Sequence, residues 1–284
     1  MNPPPLRSQA QYDYMKAREE KTYCAENVIH KDAAKFIYEY WQQERGDREF
    51  LAGRGYSDED EREENTKGSL KFPYAWSELS KVIGPIAERI IGTKRFRFIS
   101  GRMYLVSPNY TWDNIHTDTW NYLKKIYPDG CPDNNGPDFV KWAIKHPDRI
   151  YMSWKTIVIP VHIKGSANTV VFNQYNYSPE SVSWNKHLKR TEWPGSVASF
   201  TEGMTDEMSI TDEQYNKYLS HMKFPRENLK GLSIQAVHDW KVGNAYVWDS
   251  TQLHVAGYHE PDTEKVAVTI WTAQPKEIQD ALSL

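Results

Sequence analysis

The chain has 284 residues, of which 26% are charged and 39% hydrophobic, and its formal net charge is −3 at neutral pH. That balance supports an ordinary folded core and argues against a dedicated nucleic-acid scaffold, which would carry a basic excess. Two cysteines, Cys24 and Cys131, are too few for a disulfide framework or a cysteine metal site.

The start, Met1-Asn2-Pro3-Pro4-Pro5, lacks an apolar signal region, and no stretch approaches the length of a membrane span. The expectation is a soluble, cytoplasmic protein without a membrane partner. No Gly/Ser linker or repeat divides it, so residues 1–284 read as one domain with a helical part over 1–95 and a core over 96–273.

In chain order, Ala33, Ala34, Phe36, Ile37, Tyr40 and Trp41 recur at helical spacing, which predicts a helix from Asp32 to Arg45 with Asp32 as its N-cap. Ser57 to Glu64 is a run of charge that reads as a solvated loop. Leu79, Val82, Ile83, Ile86 and Ile90 form one stripe, predicting a second helix over Ser77–Ile91. From Arg95 strands dominate. Arg102 to Ser107 is strand-like, and Thr156–Ile163 and Thr169–Phe172 flank the turn Lys164-Gly165-Ser166 as a hairpin would. Residues 175–230 read as an insertion between the middle strands, with a short helix capped near Thr211-Asp212. Then follow a strand at Leu232–Val237, a turn at Lys241–Asn244, a strand at Ala245–Trp248, and Gln252-Leu253-His254. Lys265–Thr272 is a last run of strong β propensity.

The triplet His-x-Asp occurs three times, and local context separates the three. His30-Lys31-Asp32 opens a helix. His146-Pro147-Asp148 ends one, because Pro147 stops it. His116-Thr117-Asp118 follows a strand and the turn Pro108-Asn109, so in extended chain His116 and Asp118 share one face. The same alternation adds Trp112, Asn114 and Trp120 to that face. Two imidazoles and one carboxylate, with His254 as the second imidazole, make the 2-His-1-carboxylate set that leaves non-haem Fe(II) open to substrate and O2.

The sequence of strand, turn, strand, histidine and closing strand resembles the end of the double-stranded β-helix oxygenases that use Fe(II) and 2-oxoglutarate. The resemblance covers roughly residues 96–273. It implies an α+β, mainly β fold: a jelly roll of the cupin-like type, with N-terminal helices packed on the sheet and the insertion noted above. It also implies His116, Asp118 and His254 as catalytic metal ligands. Lys265 stands eleven residues after His254, where the family places a basic residue for the cosubstrate's far carboxylate. The family's Arg-x-Ser pattern is broken by Ala267; Thr269, on the same face by alternation, is the replacement hydroxyl. Lys155 is the rival anchor. Tyr104 joins the candidates for the cosubstrate pocket, and Arg102, Trp120 and Asn173 those for substrate.

The activity implied is oxidative decarboxylation of 2-oxoglutarate coupled to C–H oxidation of a small molecule such as an amino acid or natural-product intermediate. Hydroxylation is the default, with desaturation or cyclisation within reach. Halogenating members have Gly or Ala where this chain keeps Asp118. The alternative is a cupin-like metal-dependent isomerase, hydrolase or binding protein that does not use 2-oxoglutarate. The partners expected are a small-molecule substrate and O2, with no nucleic acid.

Overall fold

The computed structural model describes residues 9–17, 19–45, 67–71, 78–92, 97–106, 115–118, 153–177, 183–184, 201–222, 226–259 and 263–273. Trp112, Asn114, Trp120, His146 and the charged run 57–64 lie outside the described residues.

Among the described residues, two antiparallel sheets make the core. The first has the order β1 (Tyr23–Ala25), β10 (Ala245–Asp249), β5 (Ser153–Lys164), β12 (Glu264–Ala273), β3 (Arg97–Val106), β2 (Lys67–Lys71). The second has the order β7 (Ser183–Trp184), β4 (Ile115–His116), β11 (Gln252–Ala256), β6 (Asn168–Asn176), and both β8 (Thr201–Glu202) and β9 (Ile234–Asp239) pair with β6. From β3 to β6, and again from β9 to β12, consecutive strands alternate between the sheets. That alternation is the jelly-roll winding expected of a double-stranded β-helix.

The sandwich explains the apolar strand sequences. Ile157, Ile159, Val161, Ala245, Val247, Val266, Val268 and Ile270 pack on one side of the first sheet against α2 (Lys31–Arg45) and α3 (Glu78–Ile91), through Ala34, Ile37, Ile83 and Ala87. The intervening residues point the other way. Val158, Tyr246, Trp248 and Ala267 meet Val171 of the second sheet, with Trp240 beside them. These strands are buried on both faces, so they read as continuous hydrophobic runs rather than alternating ones. Each fully buried Ile or Val in such a layer contributes on the order of 1.5–3 kcal/mol.

The far side of the second sheet is covered by the insertion. Ile210, Leu219, Met222, Leu229 and Leu232 pack on Ile115, Val170, Phe172, Leu253 and Val255. The short helix begins at Asp212 under a capping box in which Thr211 Oγ1 accepts from Gln214 N and Gln214 Oε1 accepts from Thr211 N. Ahead of the sheets, α1 (Gln9–Ala17) sets Met15 against Tyr175 and Tyr177.

Two expectations need correction, the hairpin and the helix cap. β5 and β6 are not a hairpin: they belong to different sheets, and the turn between them, with Gly165 at φ 89°, carries the chain across the sandwich. Turn chemistry marks a reversal but does not say which sheet receives the next strand. The N-terminal part is mainly helical among its described residues, in α1, α2 and α3, and it adds β1 and β2 at the two edges of the first sheet. Finally, α2 starts at Lys31, and the cap is His30, whose Nδ1 accepts from the Asp32 amide at 3.3 Å.

Candidate metal centre

His116 and His254 are direct partners across the β4–β11 ladder, and their ring centroids lie 4.4 Å apart. Residues opposite one another in adjacent strands share a face. That face is the interior one, because His254 also stands opposite Val171 and its ring lies 4.8 Å from that of Trp248. Asp118 follows β4 by two residues. Its backbone N–H donates to Ser250 O at 2.8 Å, which ties this stretch to the β10–β11 turn and brings the carboxylate back over the histidines.

The three side chains converge. Asp118 Oδ2 lies 3.2 Å from His254 Nε2, and Asp118 Oδ1 lies 3.8 Å from His116 Nε2. One ligand atom from each residue falls within 4.8 Å of the others. Burial grades across the group: the side chains of His254, Asp118 and His116 are 6%, 12% and 30% exposed. Among these three side chains His254 is therefore the most enclosed and His116 the most exposed.

The second layer of contacts orients the donors. His254 Nδ1 meets the Gln252 carbonyl oxygen at 3.0 Å, so the ring N–H sits on Nδ1 and the Nε2 lone pair is turned into the site. Thr156 Oγ1 donates to Asp118 Oδ2 at 2.8 Å, and Ser250 Oγ lies 3.4 Å from the same hydroxyl. Burial by itself would raise the Asp118 carboxyl. When His254 carries a second proton on Nε2, its charge and hydrogen bond, together with His116 and the Thr156 bond, outweigh burial and hold the group well below the ordinary carboxylate range; a metal ion would take the place of that proton. An ionised carboxylate and an imidazole with a capped Nδ1 are the forms a metal requires, so the donor set fits a divalent ion.

The other predicted residues divide by position. Lys265 is 1% exposed and its Nζ lies 4.9 Å from the centroid of the Trp240 ring. Alternation with Ala267 puts it on the interior face of β12, and Thr269 is a buried residue of the same row. Trp240 Nε1 donates to Thr169 Oγ1 at 2.9 Å. Thr169 lies two residues along β6 from Val171, the partner of His254, a step of roughly 6.6 Å. Lys155 is buried but pairs with Asp249 in the row of Ile157 and Val247, on the helix-covered face, and its Nζ bonds Glu20 Oε2 at 3.1 Å. In β3, Arg102 stands opposite Thr269 and Tyr104 opposite Ala267, register positions of the interior row. Asn173 is exposed; its amide bonds Ser233 Oγ and Gln235 Nε2. Trp120 lies outside the described residues.

Sequence reasoning missed Thr156, Ser250 and Gln252. Thr156 had one available signal, a hydroxyl standing directly before the apolar run Ile157–Val161 of β5. Gln252 had none, because it acts through its main-chain carbonyl.

No family model matches the chain, and no curated protein matches it. Among solved structures, it is similar to the non-heme alpha ketoglutarate dependent carbocyclase SnoK from nogalamycin biosynthesis, at 15% identity and TM-score 0.45 over 96% of this chain and 86% of that one. It is also similar to a Pseudomonas putida prolyl-4-hydroxylase, at 8% identity and TM-score 0.44 over 93% and 97%. EvdO2 from Micromonospora carbonacea var. aurantiaca gives 11% identity and TM-score 0.43 over 93% and 91%.

Proposed function

We propose that this chain is a non-haem iron oxygenase that couples oxidative decarboxylation of 2-oxoglutarate to C–H oxidation of a small molecule. The observation that carries the reading is the convergence of His116, Asp118 and His254, with ligand atoms within 4.8 Å, in the interior of a jelly roll. Two imidazoles and a carboxylate on one side of an ion leave its other side open, the arrangement that suits O2 and a chelating cosubstrate. Iron and 2-oxoglutarate held there would supply the oxidising chemistry.

The chain's own residues provide binding and exclusion. His116, Asp118 and His254 hold the ion, and Thr156 and the Gln252 carbonyl fix two of these donors in place. Lys265 offers a buried basic group on the same interior surface, beside Trp240, and would hold the far carboxylate of 2-oxoglutarate by a charge-assisted bond. Trp248, Tyr246, Val158 and Val171 wall this space and keep water from it. Thr269 and Tyr104 complete the proposed cosubstrate pocket, and Arg102, Trp120 and Asn173 are the proposed substrate contacts. Hydroxylation is the default outcome, and residues 1–284 act as one domain.

The test is direct. Anaerobic addition of Fe(II) and 2-oxoglutarate is expected to produce the weak visible charge-transfer band of the chelated cosubstrate, and with O2 to release succinate. Iron uptake without that band would overturn the reading in favour of a metal-dependent isomerase, hydrolase or binding protein.

A further inference from the structure

The segment leading into β1 is bolted to both sheets. On the first sheet, β1 pairs with β10, Thr22 Oγ1 donates to Val247 O at 2.8 Å, and Lys155 Nζ donates to Glu20 Oε2 at 3.1 Å. On the second, the Thr22 amide donates to Gln235 Oε1 at 2.8 Å, and Tyr175 Oη donates to Glu20 O at 3.0 Å. Thr22 Oγ1 also lies 2.7 Å from His238 Nε2. The hydroxyl has one proton and gives it to Val247, so the ring N–H of His238 is the donor there.

Gln235 is where these contacts meet the metal centre. Its Oε1 accepts from Thr22 N and, at 3.1 Å, from Gln252 Nε2, while its Nε2 donates to Asn173 Oδ1 at 3.3 Å. Gln252 Nε2 also donates to Phe172 O at 2.7 Å. The carbonyl of the same Gln252 accepts the Nδ1–H of His254. A short chain of hydrogen bonds therefore runs from the Thr22 amide to the distal imidazole.

The backbone ladder does not do this work by itself. Between Gln252 and His254, two steps along β11 face four along β6, from Tyr175 to Val171, so β6 bulges beside the carbonyl that is aimed at His254. The bulged residues Phe172 to Gln174 have no regular partner on β11, and the Gln252 side chain bonds the Phe172 carbonyl among them. The carboxamide of Gln252, fully buried, supplies the missing restraint, and Gln235 holds that carboxamide.

We propose that Gln235 is a positioning residue for His254, and that the segment Glu20–Ala25 it binds belongs to the framework of the metal centre. The inference rests on the metal assignment made above. Outer-shell partners of this kind typically alter metal affinity by 10–100-fold. By reciprocity, a metal bound at His254 must also stabilise the docked segment.

Two measurements test it. Co2+ is titrated into the metal-free full chain and followed by its visible d–d bands, in wild type, Gln235→Met and Gln235→Glu. Methionine keeps the size and removes the acceptor; glutamate keeps an acceptor for both N–H groups. Gln235→Met is expected to bind Co2+ about ten-fold more weakly, with Gln235→Glu close to wild type. Equal affinity in Gln235→Met, or an equal loss in Gln235→Glu, overturns the proposal. The second measurement needs no variant: Zn2+ is expected to slow hydrogen exchange at the Thr22 amide in the wild-type chain, and unchanged exchange despite bound Zn2+ overturns it. A wild-type chain that takes up neither ion removes the metal assignment itself, which is a separate failure.

Discussion

Lys155 and Thr156 are consecutive on β5, yet their side chains leave opposite faces of the sheet. Thr156 bonds the Asp118 carboxylate in the interior, and Lys155 bonds Glu20 on the outer side. This separates the two candidate anchors for an anionic cosubstrate. Lys265 shares the interior face with the metal group and Lys155 does not. Lys265→Ala is expected to weaken 2-oxoglutarate binding to the metal-loaded protein by roughly 10–150-fold, the equivalent of a charge-assisted hydrogen bond of about 1.5–3 kcal/mol. Lys155→Ala should stay within about two-fold. Calorimetric titration of 2-oxoglutarate distinguishes them, and the opposite ranking would make Lys155 the anchor.

Thr156→Val is close in shape and removes only the hydroxyl. Asp118 then loses the donor that aligns Oδ2, and Co2+ affinity is expected to drop about ten-fold, with recovery in Thr156→Ser. An unaffected Thr156→Val protein would mean that Ser250 and the Asp118 main-chain bond suffice to place the carboxylate.

Asp118→Ala removes the only anionic donor of the group. Metal uptake and succinate release should both fall below detection while the fold persists, because Asp118 lies two residues beyond the short strand β4 rather than in a packed apolar layer. Far-ultraviolet circular dichroism checks the fold. Retained turnover would reassign the carboxylate ligand.

His238 gives a pH dependence away from the metal. Burial pushes its imidazole below the ordinary value of 6.5, partly offset by Asp239, and its Nε2–H is held by Thr22. The folded state therefore binds fewer protons than the unfolded one as pH drops. The sign follows: this contribution is complete above about 6.5 and is lost as pH falls from there toward the depressed folded value. Denaturation midpoints at pH 7.5 and 5.5 should differ more for wild type than for His238→Gln, which keeps a donor but cannot titrate. Identical differences would remove His238 as the source.

The route from sequence to site can be followed residue by residue. His116 and Asp118 were separable from two identical triplets because strand alternation is local, and Lys265 could be placed because β12 is an uninterrupted run. The capping box at Thr211 was legible for the same reason. The supposed hairpin at Gly165 was not, since a turn signal is the same whether the next strand pairs or crosses the sandwich. Nothing near Gln235 marks it as a neighbour of the metal group.

What the sequence by itself determined, then, is whatever depends on a few neighbouring residues: which strands form, which side chains share a face, and the three donors on offer. The tertiary structure decided which faces meet. Only the folded sandwich brings Thr156 onto Asp118 across 38 residues and sets Gln252 between His254 and the Thr22–Gln235 bond. Those choices follow from hydrogen bonds between strands far apart in the chain, and such bonds leave no periodicity in the sequence.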